Sequence, residues 1–278
     1  MSNKVSPLAG VVGWPIKHSK SPALHGHWLE RYGLDGEYRP IALSPDELET
    51  GLRKLSKRGF KGVNLTIPHK EAVLKFVDSI TDSAALIGAA NTIHFHADGT
   101  IGADNTDGYG FIQNLRQNAP MWDPKSGPAL VVGAGGAARA VVWALLNEGA
   151  PVVRLANRTR IRAENLANHF GAKVEVVEWS EVSEAMDGAA TIVNTTSLGM
   201  AGQPELRVHF DAALPEALVS DIVYTPLNTP FLEKAQARGL ETVDGLGMLL
   251  HQAVPGFESW FGRKPEVDDE LRQAVLNA

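Results

Sequence analysis

A lysine follows two polar side chains at the predicted end of a strand, in the segment GVNLTIPHK, which ends at Lys70. Apolar side chains alternate over residues 63–67, which predicts a buried strand that Pro68 ends before a helix begins. Asn64 and Thr66 share one face of that strand, and strand ends in open α/β sheets face the ligand crevice. The three polar side chains can therefore converge on one small molecule, with Lys70 placed for proton transfer. A capped turn followed by a solvated lysine explains the segment equally well.

A carboxylate and an amide stand at two further predicted element ends. Asp107 lies just before a predicted helix in ADNTDGYGF, and Asn91 lies just before a predicted strand in GAANTI. Each residue taken alone is explained as a cap or turn residue. Taken with Lys70, however, Asp107 suggests a pair that handles the proton of a hydroxyl group while a nicotinamide removes hydride from the same carbon. That combination indicates a dehydrogenase.

Two serines in the segment HSKSP follow the first predicted strand. Ser19 and Ser21 stand at the start of a predicted helix that contains Pro22. Two hydroxyls near the exposed N–H groups of a helix would suit a carboxylate. Serine before proline is also a common helix cap, and both roles remain open for Ser21.

A glycine-rich turn, GAGGAA, lies between the apolar strand ALVV and the helix-forming run AARAVVWALL. Gly133 permits a tight turn, and Gly135 lets the backbone approach a pyrophosphate. The N-terminus of the following helix supplies N–H donors and the positive end of its dipole. A strand before the turn and a helix after it favour a dinucleotide site over a purely structural turn.

The next predicted strand separates the two nicotinamide cofactors, because NAD-binding proteins usually end it with an acid that binds the ribose 2′-hydroxyl. Here the strand ends in Asn157, Arg158 and Thr159, with Arg160 and Arg162 close by. A guanidinium pairs with a 2′-phosphate and stacks on adenine, which favours NADP. Ordinary surface arginines at a helix start are the alternative, although cations there oppose the helix dipole.

The composition excludes several classes of function. A chain of 278 residues with 44% hydrophobic content can fill the cores of one large or two medium domains. Its net charge of −6 gives no basic field for nucleic acid or anionic lipid. We see neither a run of 18 apolar residues nor the apolar core of a secretion signal at the N-terminus, so we predict a cytoplasmic protein without membrane or nucleic-acid partners.

Metal and thiol chemistry find little support in the sequence. The chain has no cysteine, which excludes disulfides, thiolate nucleophiles and cysteine-bound zinc. His94 and His96 share a face of a predicted strand as a metal pair would, but no third ligand stands out at suitable spacing. We predict no metal site.

Strand-like and helix-like patterns alternate along the chain, which predicts an α/β protein with a mostly parallel sheet. Three prolines and a glycine over 118–128 predict a domain linker or a long loop. The predicted strands are 8–13, 37–43, 62–67, 129–132, 152–157, 174–179, 191–196, 217–224 and 239–245, with a hairpin over 91–105 that turns at Asp98 and Gly99. The predicted helices are 22–32, 45–57, 72–77, 137–146 and 160–170, followed by a helical tail over 246–278 that is interrupted near Pro255 and Pro265.

These residues resemble the shikimate dehydrogenase family, and the likeness spans nearly the whole chain. The segments that resemble successive blocks of the family, in its order, are GWPIKHSKSPALHG, GVNLTIPHK, IGAANTI, NTDGYGF, GAGGAARA, NRT, TTSLGM, DIVYTPLNTPFL and DGLGMLLHQA. The resemblance implies an α/β protein of two domains, with an N-terminal substrate domain and a Rossmann-type NADP-binding domain. The expected boundaries are 1–107 with 246–278 for the substrate domain and 108–245 for the NADP domain.

The resemblance also implies roles for individual residues. In such enzymes, the serines matching Ser19 and Ser21 hold the substrate carboxylate, with the residue matching Tyr224 nearby. The lysine matching Lys70 is the acid/base, paired with the aspartate matching Asp107. The residues implied around the ring hydroxyls are Asn64, Thr66, Asn91, Asp107 and Gln252. The residues implied at the cofactor are Gly133, Ala134, Gly135, Gly136 and Ala137 at the pyrophosphate; Asn157, Arg158, Thr159 and Arg162 at the adenosine phosphate; Thr196, Ile222, Gly245 and Met248 at the nicotinamide half; and Asp82 at a cofactor-linked position.

The implied reaction is the reversible NADPH-dependent reduction of 3-dehydroshikimate to shikimate, a step in aromatic amino-acid biosynthesis. Related branches act on quinate or accept NAD and share most of these segments. Ser21 in place of threonine, with Arg158 and Thr159, favours shikimate and NADP. A dual quinate/shikimate dehydrogenase and a non-catalytic NADP-binding module are the alternatives, and the sequence leaves open whether the chain forms a homodimer.

Overall fold

The computed structural model describes residues 6–278. Their twelve strands are β1 Leu8–Gly13, β2 Glu37–Ala42, β3 Phe60–Leu65, β4 Ser79–Ile80, β5 Thr92–Phe95, β6 Ile101–Asp104, β7 Ala129–Val132, β8 Val153–Ala156, β9 Val174–Val177, β10 Thr191–Asn194, β11 Leu218–Asp221 and β12 Glu241–Val243. The nine α-helices over the same residues are α1 Ser21–Arg31, α2 Leu48–Lys57, α3 Asp82–Ile87, α4 Asp107–Asn118, α5 Gly136–Glu148, α6 Arg160–Phe170, α7 Pro230–Ala237, α8 Leu246–Phe261 and α9 Asp269–Leu276. The predicted mixed α/β class is confirmed.

The chain divides into two compact units. The first, called the N-unit, consists of the chain up to Thr106 together with Leu249–Ala278, and the second, called the G-unit, consists of Asp107–Met248. The N-unit is therefore built from two separate stretches of sequence, whereas the G-unit is continuous.

The N-unit contains a six-stranded sheet in the order β2-β1-β3-β5-β6-β4. β1 runs parallel to β2 and β3, whereas β5 is antiparallel to β3 and forms the predicted hairpin with β6. Alternate residues of these strands, such as Val12, Val63 and Ile93, are fully buried in one hydrophobic cluster with helix α2. The register sets Asn64 directly opposite Thr92 across the β3–β5 pair. That pairing positions the polar side chains discussed below.

Two prolines act differently from the predictions. The strand ends at Leu65 and Pro68 opens no helix, because a tight turn closes where the His69 N–H donates to the Thr66 carbonyl at 3.0 Å. Only a short 3₁₀ turn, Ala72–Lys75, forms where a helix over 72–77 was predicted. Pro255 was expected to interrupt the tail, yet α8 continues through it, since a helix buried on an apolar core can lose one hydrogen bond to proline. The break near Pro265 is present between α8 and α9.

The last helix packs against α1 and fastens the loop that carries Ser19 and Ser21. Lys20, the residue between the serines, donates from Nζ to the carbonyl oxygens of Val275 at 2.9 Å and Leu276 at 3.3 Å. The orphan carbonyls at a helix C-terminus bind a cation favourably. The serine loop is thereby tied to the C-terminal end of α9.

The G-unit contains a six-stranded sheet in the order β12-β11-β10-β7-β8-β9, and all its adjacent pairs are parallel. This is the doubly wound order, and the chain changes direction across the sheet between β7 and β10. All four residues of β7 are buried, as expected for a strand covered on both faces. The segment after Asn118 is a loop inside the G-unit rather than a linker between units. Ligands of such sheets bind at the carboxyl ends of the strands beside the switch point.

Candidate active site

Three amide side chains of the N-unit form one buried network, and we call Asn64, Asn91 and Gln252 the site amides. Each has 7% or less of its surface exposed. Asn64 Nδ2 donates to Thr92 Oγ1 at 3.2 Å, and Thr92 Oγ1 donates to Asn91 Oδ1 at 3.0 Å. Asn91 Nδ2 in turn donates to Gln252 Oε1 at 3.0 Å. Predicted residues from β3, from the position just before β5 and from α8 are thus brought together.

The turn after β3 fixes the backbone of Lys70 beside this network. The buried ring of His69 lies with Nε2 at 2.9 Å from the Leu43 carbonyl oxygen, and burial lowers the pKa of His69. The Ala90 N–H donates to the Lys70 carbonyl at 2.8 Å, which places the lysine backbone next to the segment that leads into Asn91. The Lys70 and Thr66 side chains are half-buried. The backbone of Lys70 is therefore adjacent to the segment that carries Asn91, and the role of its side chain stays a prediction.

Asp107 belongs to the G-unit, as the first residue of α4. Its side chain is only 4% exposed, and a carboxylate in the first turn suits the positive end of the helix dipole. Asp107 thus lies inside the helix rather than just before it, where a cap residue was predicted. Its pairing with Lys70 stays a prediction.

The two predicted carboxylate-binding serines occupy the entry to α1. Ser21 is the first residue of the helix and is 6% exposed, whereas Ser19 is half-buried. The cap differs from the one expected for Ser21, because the Ser19 hydroxyl accepts the Ser21 N–H at 3.3 Å. The expected Ser21 cap is therefore wrong.

The glycine-rich turn of the G-unit fits a dinucleotide at two positions. Gly133 has a φ of +118°, and a Cβ there would lie 2.5 Å from Thr195 Oγ1, so no other residue fits without strain. Gly135 precedes α5 in an extended conformation, and a Cβ there would meet no atom of the described residues within 4 Å. Gly133 thus serves the turn, and Gly135 keeps open the space before the helix N-terminus. Together with Ala134, Gly136 and Ala137 they form the turn at the N-terminus of α5, which we call the glycine cradle, and the N–H groups of a helix N-terminus suit a phosphate.

The predicted adenosine-phosphate residues lie together after β8. The Asn157 side chain donates to the Thr159 carbonyl at 2.8 Å and closes the turn before α6. Arg158 and Arg162 are exposed, and within residues 6–278 neither forms an ion pair. Arg160 differs, because it binds the carboxylates of Glu164 and Glu178. Arg158 and Arg162 are the cations that remain for a phosphate.

The residues predicted around a nicotinamide follow β10, β11 and β12 of the G-unit. Asn194 Oδ1 accepts from the backbone N–H and the hydroxyl of Thr196, at 3.0 and 2.8 Å. Gly245 packs so closely on Ile222 that a Cβ there would lie 2.4 Å from its carbonyl oxygen. Ile222 and Gly245 thus follow the carboxyl ends of β11 and β12, which are neighbouring strands. Met248 differs, because it is buried in α8. Burial also raises the pKa of Tyr224, which keeps its phenol protonated.

A buried aspartate that the sequence did not single out holds this strand edge together. Asp221 Oδ1 accepts from Asn194 Nδ2 at 3.0 Å and from the Val223 N–H at 2.9 Å, and Oδ2 accepts from Thr229 Oγ1 at 2.7 Å. Burial nevertheless raises the pKa of Asp221 to about 6 from 3.8. A short run DIVY carries no signal that separates such an aspartate from an ordinary strand-end residue.

The raised pKa of Asp221 makes local stability depend on pH. Between pH 4 and 6 the folded protein binds more protons at Asp221 than the unfolded chain does, so stability falls as pH rises through this window. Over this pH window we expect the free energy of unfolding of the wild type to fall by on the order of 2–3 kcal/mol relative to that of Asp221→Asn, which has no titrating group at this position. Native-state hydrogen exchange of the β10 and β11 amides at pH 4.5 and 7 measures this difference.

An exposed aspartate provides the control for that measurement. Hydrogen bonds from Thr100 lower the pKa of Asp98 below 3.8, so its stabilisation is present above that pH and is lost only below it. Asp98→Asn should therefore leave the pH dependence between 4.5 and 7 unchanged. A pH-independent difference between wild type and Asp221→Asn would contradict the assignment.

Two remaining predictions concern residues at the periphery of the N-unit. Asp82 is exposed in the first turn of α3, where it suits the helix dipole, and its link to a cofactor stays a prediction. His94 Nδ1 lies 3.1 Å from Ser259 Oγ. Over residues 6–278, no three His, Cys, Asp or Glu side chains are grouped as metal ligands. No helix in this part of the chain is long and apolar enough to cross a membrane.

Sequence reasoning missed the hydroxyls that link the site amides, namely those of Tyr38, Thr92 and Thr106. Tyr38 stands in a strand that was predicted correctly, but its contact with Asn64 depends on the order β2-β1-β3. Thr92 could have been found by pairing the predicted hairpin against β3, since the register sets it opposite Asn64.

Family models and relatives agree with this arrangement. Models described as the shikimate dehydrogenase substrate binding domain, shikimate/quinate 5-dehydrogenase, and the shikimate 5′-dehydrogenase C-terminal domain match residues 11–93, 117–201 and 245–276. A shikimate dehydrogenase (NADP(+)) of Paracoccus denitrificans is 63% identical over 98% of this chain and 97% of its own length. One of Jannaschia sp. is 58% identical over 99% of each.

Solved structures show the same likeness. Shikimate 5-dehydrogenase from Thermus thermophilus, in complex with NADP(H) and shikimate, superposes with a TM-score of 0.86 at 37% identity, covering 98% of this chain and 99% of that one. Quinate dehydrogenase from Corynebacterium glutamicum, in complex with NAD, superposes with a TM-score of 0.90 at 32% identity over the same shares. With family models over most of its length and relatives this similar, the chain belongs to the shikimate dehydrogenase family.

Proposed function

We propose that the chain catalyses the reversible NADPH-dependent reduction of 3-dehydroshikimate to shikimate, a step in aromatic amino-acid biosynthesis. One observation carries this proposal: the 63% identity, over nearly the whole chain, to a relative that bears this activity in its name. The cytoplasmic location and a homodimer stay predictions. Shikimate, the small molecule of the proposed reaction, is one of the two ligands named for the Thermus thermophilus structure.

The N-unit supplies the groups that would hold the substrate. Ser19 and Ser21, at the entry of α1, offer hydroxyl donors for the carboxylate. The site amides and Thr66 are the partners for the ring hydroxyls. Asp107 and Tyr224, which belong to the G-unit, remain predicted substrate-binding residues. A site built to hydrogen-bond hydroxyl groups discriminates strongly against analogues that lack them, because its buried polar groups would then be unpaired.

Lys70 is the proposed acid/base. When bound, NADPH supplies the hydride that the ring carbonyl carbon accepts. Lys70 Nζ donates a proton to the carbonyl oxygen as negative charge develops there, and takes a proton from solvent afterwards. In the reverse direction the neutral amine removes the hydroxyl proton, and the pairing of Lys70 with Asp107 stays a prediction.

The G-unit supplies the groups that would hold NADP. The pyrophosphate would lie in the glycine cradle at the N-terminus of α5, and Arg158 with Arg162 would bind the adenosine phosphate beside Asn157 and Thr159. Thr196, Ile222, Gly245 and Met248 would line the nicotinamide half. The open space at Gly135 supports this placement.

A matrix of initial rates tests the proposal. Shikimate and quinate are each assayed with NADP and with NAD, following reduced nicotinamide by absorbance. We expect kcat/KM for shikimate with NADP to exceed that for shikimate with NAD by about 10²-fold, because NAD lacks the phosphate that forms charge-assisted hydrogen bonds. We also expect it to exceed both values for quinate. Comparable rates for quinate with NAD would favour a dual quinate/shikimate dehydrogenase, and NADP binding without turnover would favour a non-catalytic module.

The same matrix, repeated on Arg158→Ala, tests the cofactor assignment. We expect KM for NADP to rise about 10- to 100-fold while KM for NAD changes little, because the variant loses a charge-assisted bond to a phosphate that NAD lacks. Arg160→Ala is the matched control, since Arg160 is engaged by Glu164 and Glu178 and should leave the KM for NADP unchanged. Equal losses with both cofactors would reject Arg158 as the discriminating residue.

A further inference from the structure

The orientation of a side-chain amide decides which atom it presents to a ligand. Turned by 180°, an asparagine or glutamine exchanges an acceptor oxygen for an NH₂ donor with almost no change of shape. A substrate with several hydroxyl groups needs a hydrogen-bond donor at one position of the site and an acceptor at the next. The amides supply this pattern only if each has one fixed orientation. The site amides therefore need a means of fixing it.

Backbone groups set the orientation of each site amide. The Thr106 N–H donates to Asn91 Oδ1 at 2.8 Å, so that atom is the oxygen. Asn64 Nδ2 donates to the Asn91 carbonyl at 3.3 Å, and Gln252 Nε2 donates to the Leu249 carbonyl at 3.0 Å. The 3.3 Å contact of Asn64 with the Asn91 carbonyl is too weak to hold the Asn64 amide in one orientation by itself.

Three buried hydroxyls add the missing restraints. Tyr38 Oη donates to Asn64 Oδ1 at 2.7 Å, the shortest bond of that amide. Thr92 Oγ1 accepts from Asn64 Nδ2 and donates to Asn91 Oδ1. Thr106 Oγ1 lies 3.1 Å from Asn91 Oδ1, to which it can donate, and 2.8 Å from the backbone carbonyl oxygen of Gln252. The bonds run in one direction from Tyr38 to Gln252, so turning any one amide would set two donors or two acceptors against each other.

The hydroxyl protons of Tyr38 and Thr92 are donated to the side-chain oxygens of Asn64 and Asn91. Thr92 is fully buried, and Thr106 and Tyr38 are 2% and 7% exposed. The Tyr38 ring is stacked on the His25 ring, with centroids 3.8 Å apart and planes 4° from parallel. Burial raises the pKa of Tyr38 well above 10, although Ser21 lowers it in part, so the phenol keeps the proton that it donates to Asn64.

We propose that the hydroxyls of Tyr38, Thr92 and Thr106 are positioning groups that set which atoms of the site amides face the substrate. The inference rests on the proposed function, because it assigns these residues to recognition of the ring hydroxyls of shikimate.

Removing single hydroxyls tests the proposal with little change of volume. For Tyr38→Phe and Thr92→Val we expect KM for shikimate to rise about 10-fold, the equivalent of one such hydrogen bond, while kcat changes less than about 3-fold. The Kd of NADP, measured by fluorescence titration, should be unchanged. Thr92→Ser keeps the hydroxyl and should restore the wild-type KM.

A matched threonine-to-valine variant distinguishes a positioning role from the general effect of losing a buried hydroxyl. Thr191 of β10 is 1% exposed, and its hydroxyl accepts from Trp122 Nε1 at 2.9 Å, so Thr191→Val removes an equally buried hydroxyl in the G-unit. We expect that variant to leave KM for shikimate unchanged. An unchanged KM in folded Tyr38→Phe and Thr92→Val would overturn the proposal while the proposed function stands. A wild type that does not turn over shikimate would overturn both.

Discussion

Replacing Lys70 with alanine should lower kcat by about 10²- to 10⁴-fold and change the KM for shikimate little. Loss of a positioned general acid or base has this magnitude, and an effect on kcat alone identifies a group that acts in the transition state. Initial rates at saturating cofactor, in both directions, measure it. The expectation is specific to this lysine because its side chain is half-buried and its backbone carbonyl is bonded to Ala90, next to Asn91.

Two further variants test proton transfer at Lys70. Lys70→Arg keeps the positive charge but cannot release a proton near neutral pH, so it should be nearly as inactive as Lys70→Ala. Lys61→Ala removes an exposed lysine from β3, the strand that precedes Lys70, and should leave kcat unchanged. A near-normal kcat in Lys70→Ala, or activity in Lys70→Arg close to wild type, would remove Lys70 from the mechanism as the acid/base.

The two glycines of the cofactor cradle should respond in opposite ways to alanine. Gly133→Ala forces a side chain into a φ of +118° and against Thr195, so we expect a loss of stability on the order of 1–3 kcal/mol together with weaker NADP binding. Gly135→Ala adds a methyl group in open space at an ordinary extended φ, so stability should change by less than about 0.5 kcal/mol. The Kd of NADP should nevertheless rise at least about 10-fold, because the methyl group occupies the space meant for the pyrophosphate.

Thermal unfolding combined with NADP titration distinguishes the two effects. Gly149→Ala is a useful reference, since it also places a side chain at positive φ, +102°, but at the other end of α5. It should lower stability and leave NADP affinity unchanged. Normal NADP affinity in Gly135→Ala would show that the pyrophosphate does not lie in this cradle.

Much of the G-unit could be predicted because its determinants are local. β7 is an uninterrupted apolar run, Gly133 follows it immediately, and the helix after it needs no distant partner to be recognised. The bounds predicted for α6, Arg160–Phe170, are those of the structure. Local patterns are enough where a strand is buried on both faces and a helix has clear ends.

The parts that could not be predicted depend on contacts between distant residues. Pro68 was expected to open a helix, but the turn that forms instead is closed by Thr66 and anchored at the Leu43 carbonyl through His69. Pro255 lies inside a helix, which only the surrounding core permits. Tyr38 reaches Asn64 only because β1 lies between their strands in the sheet, and no spacing along the chain reveals that.

Because the N-unit consists of two separate stretches of sequence, its parts are synthesised before and after the G-unit. The G-unit is one continuous stretch, so all of its strands have been synthesised by residue 243. The amide network needs Gln252, and the serine loop needs the α9 carbonyls at Val275 and Leu276. A nascent chain thus contains every strand of the G-unit sheet before the first stretch of the N-unit has the later residues that complete its amide network and hold its serine loop.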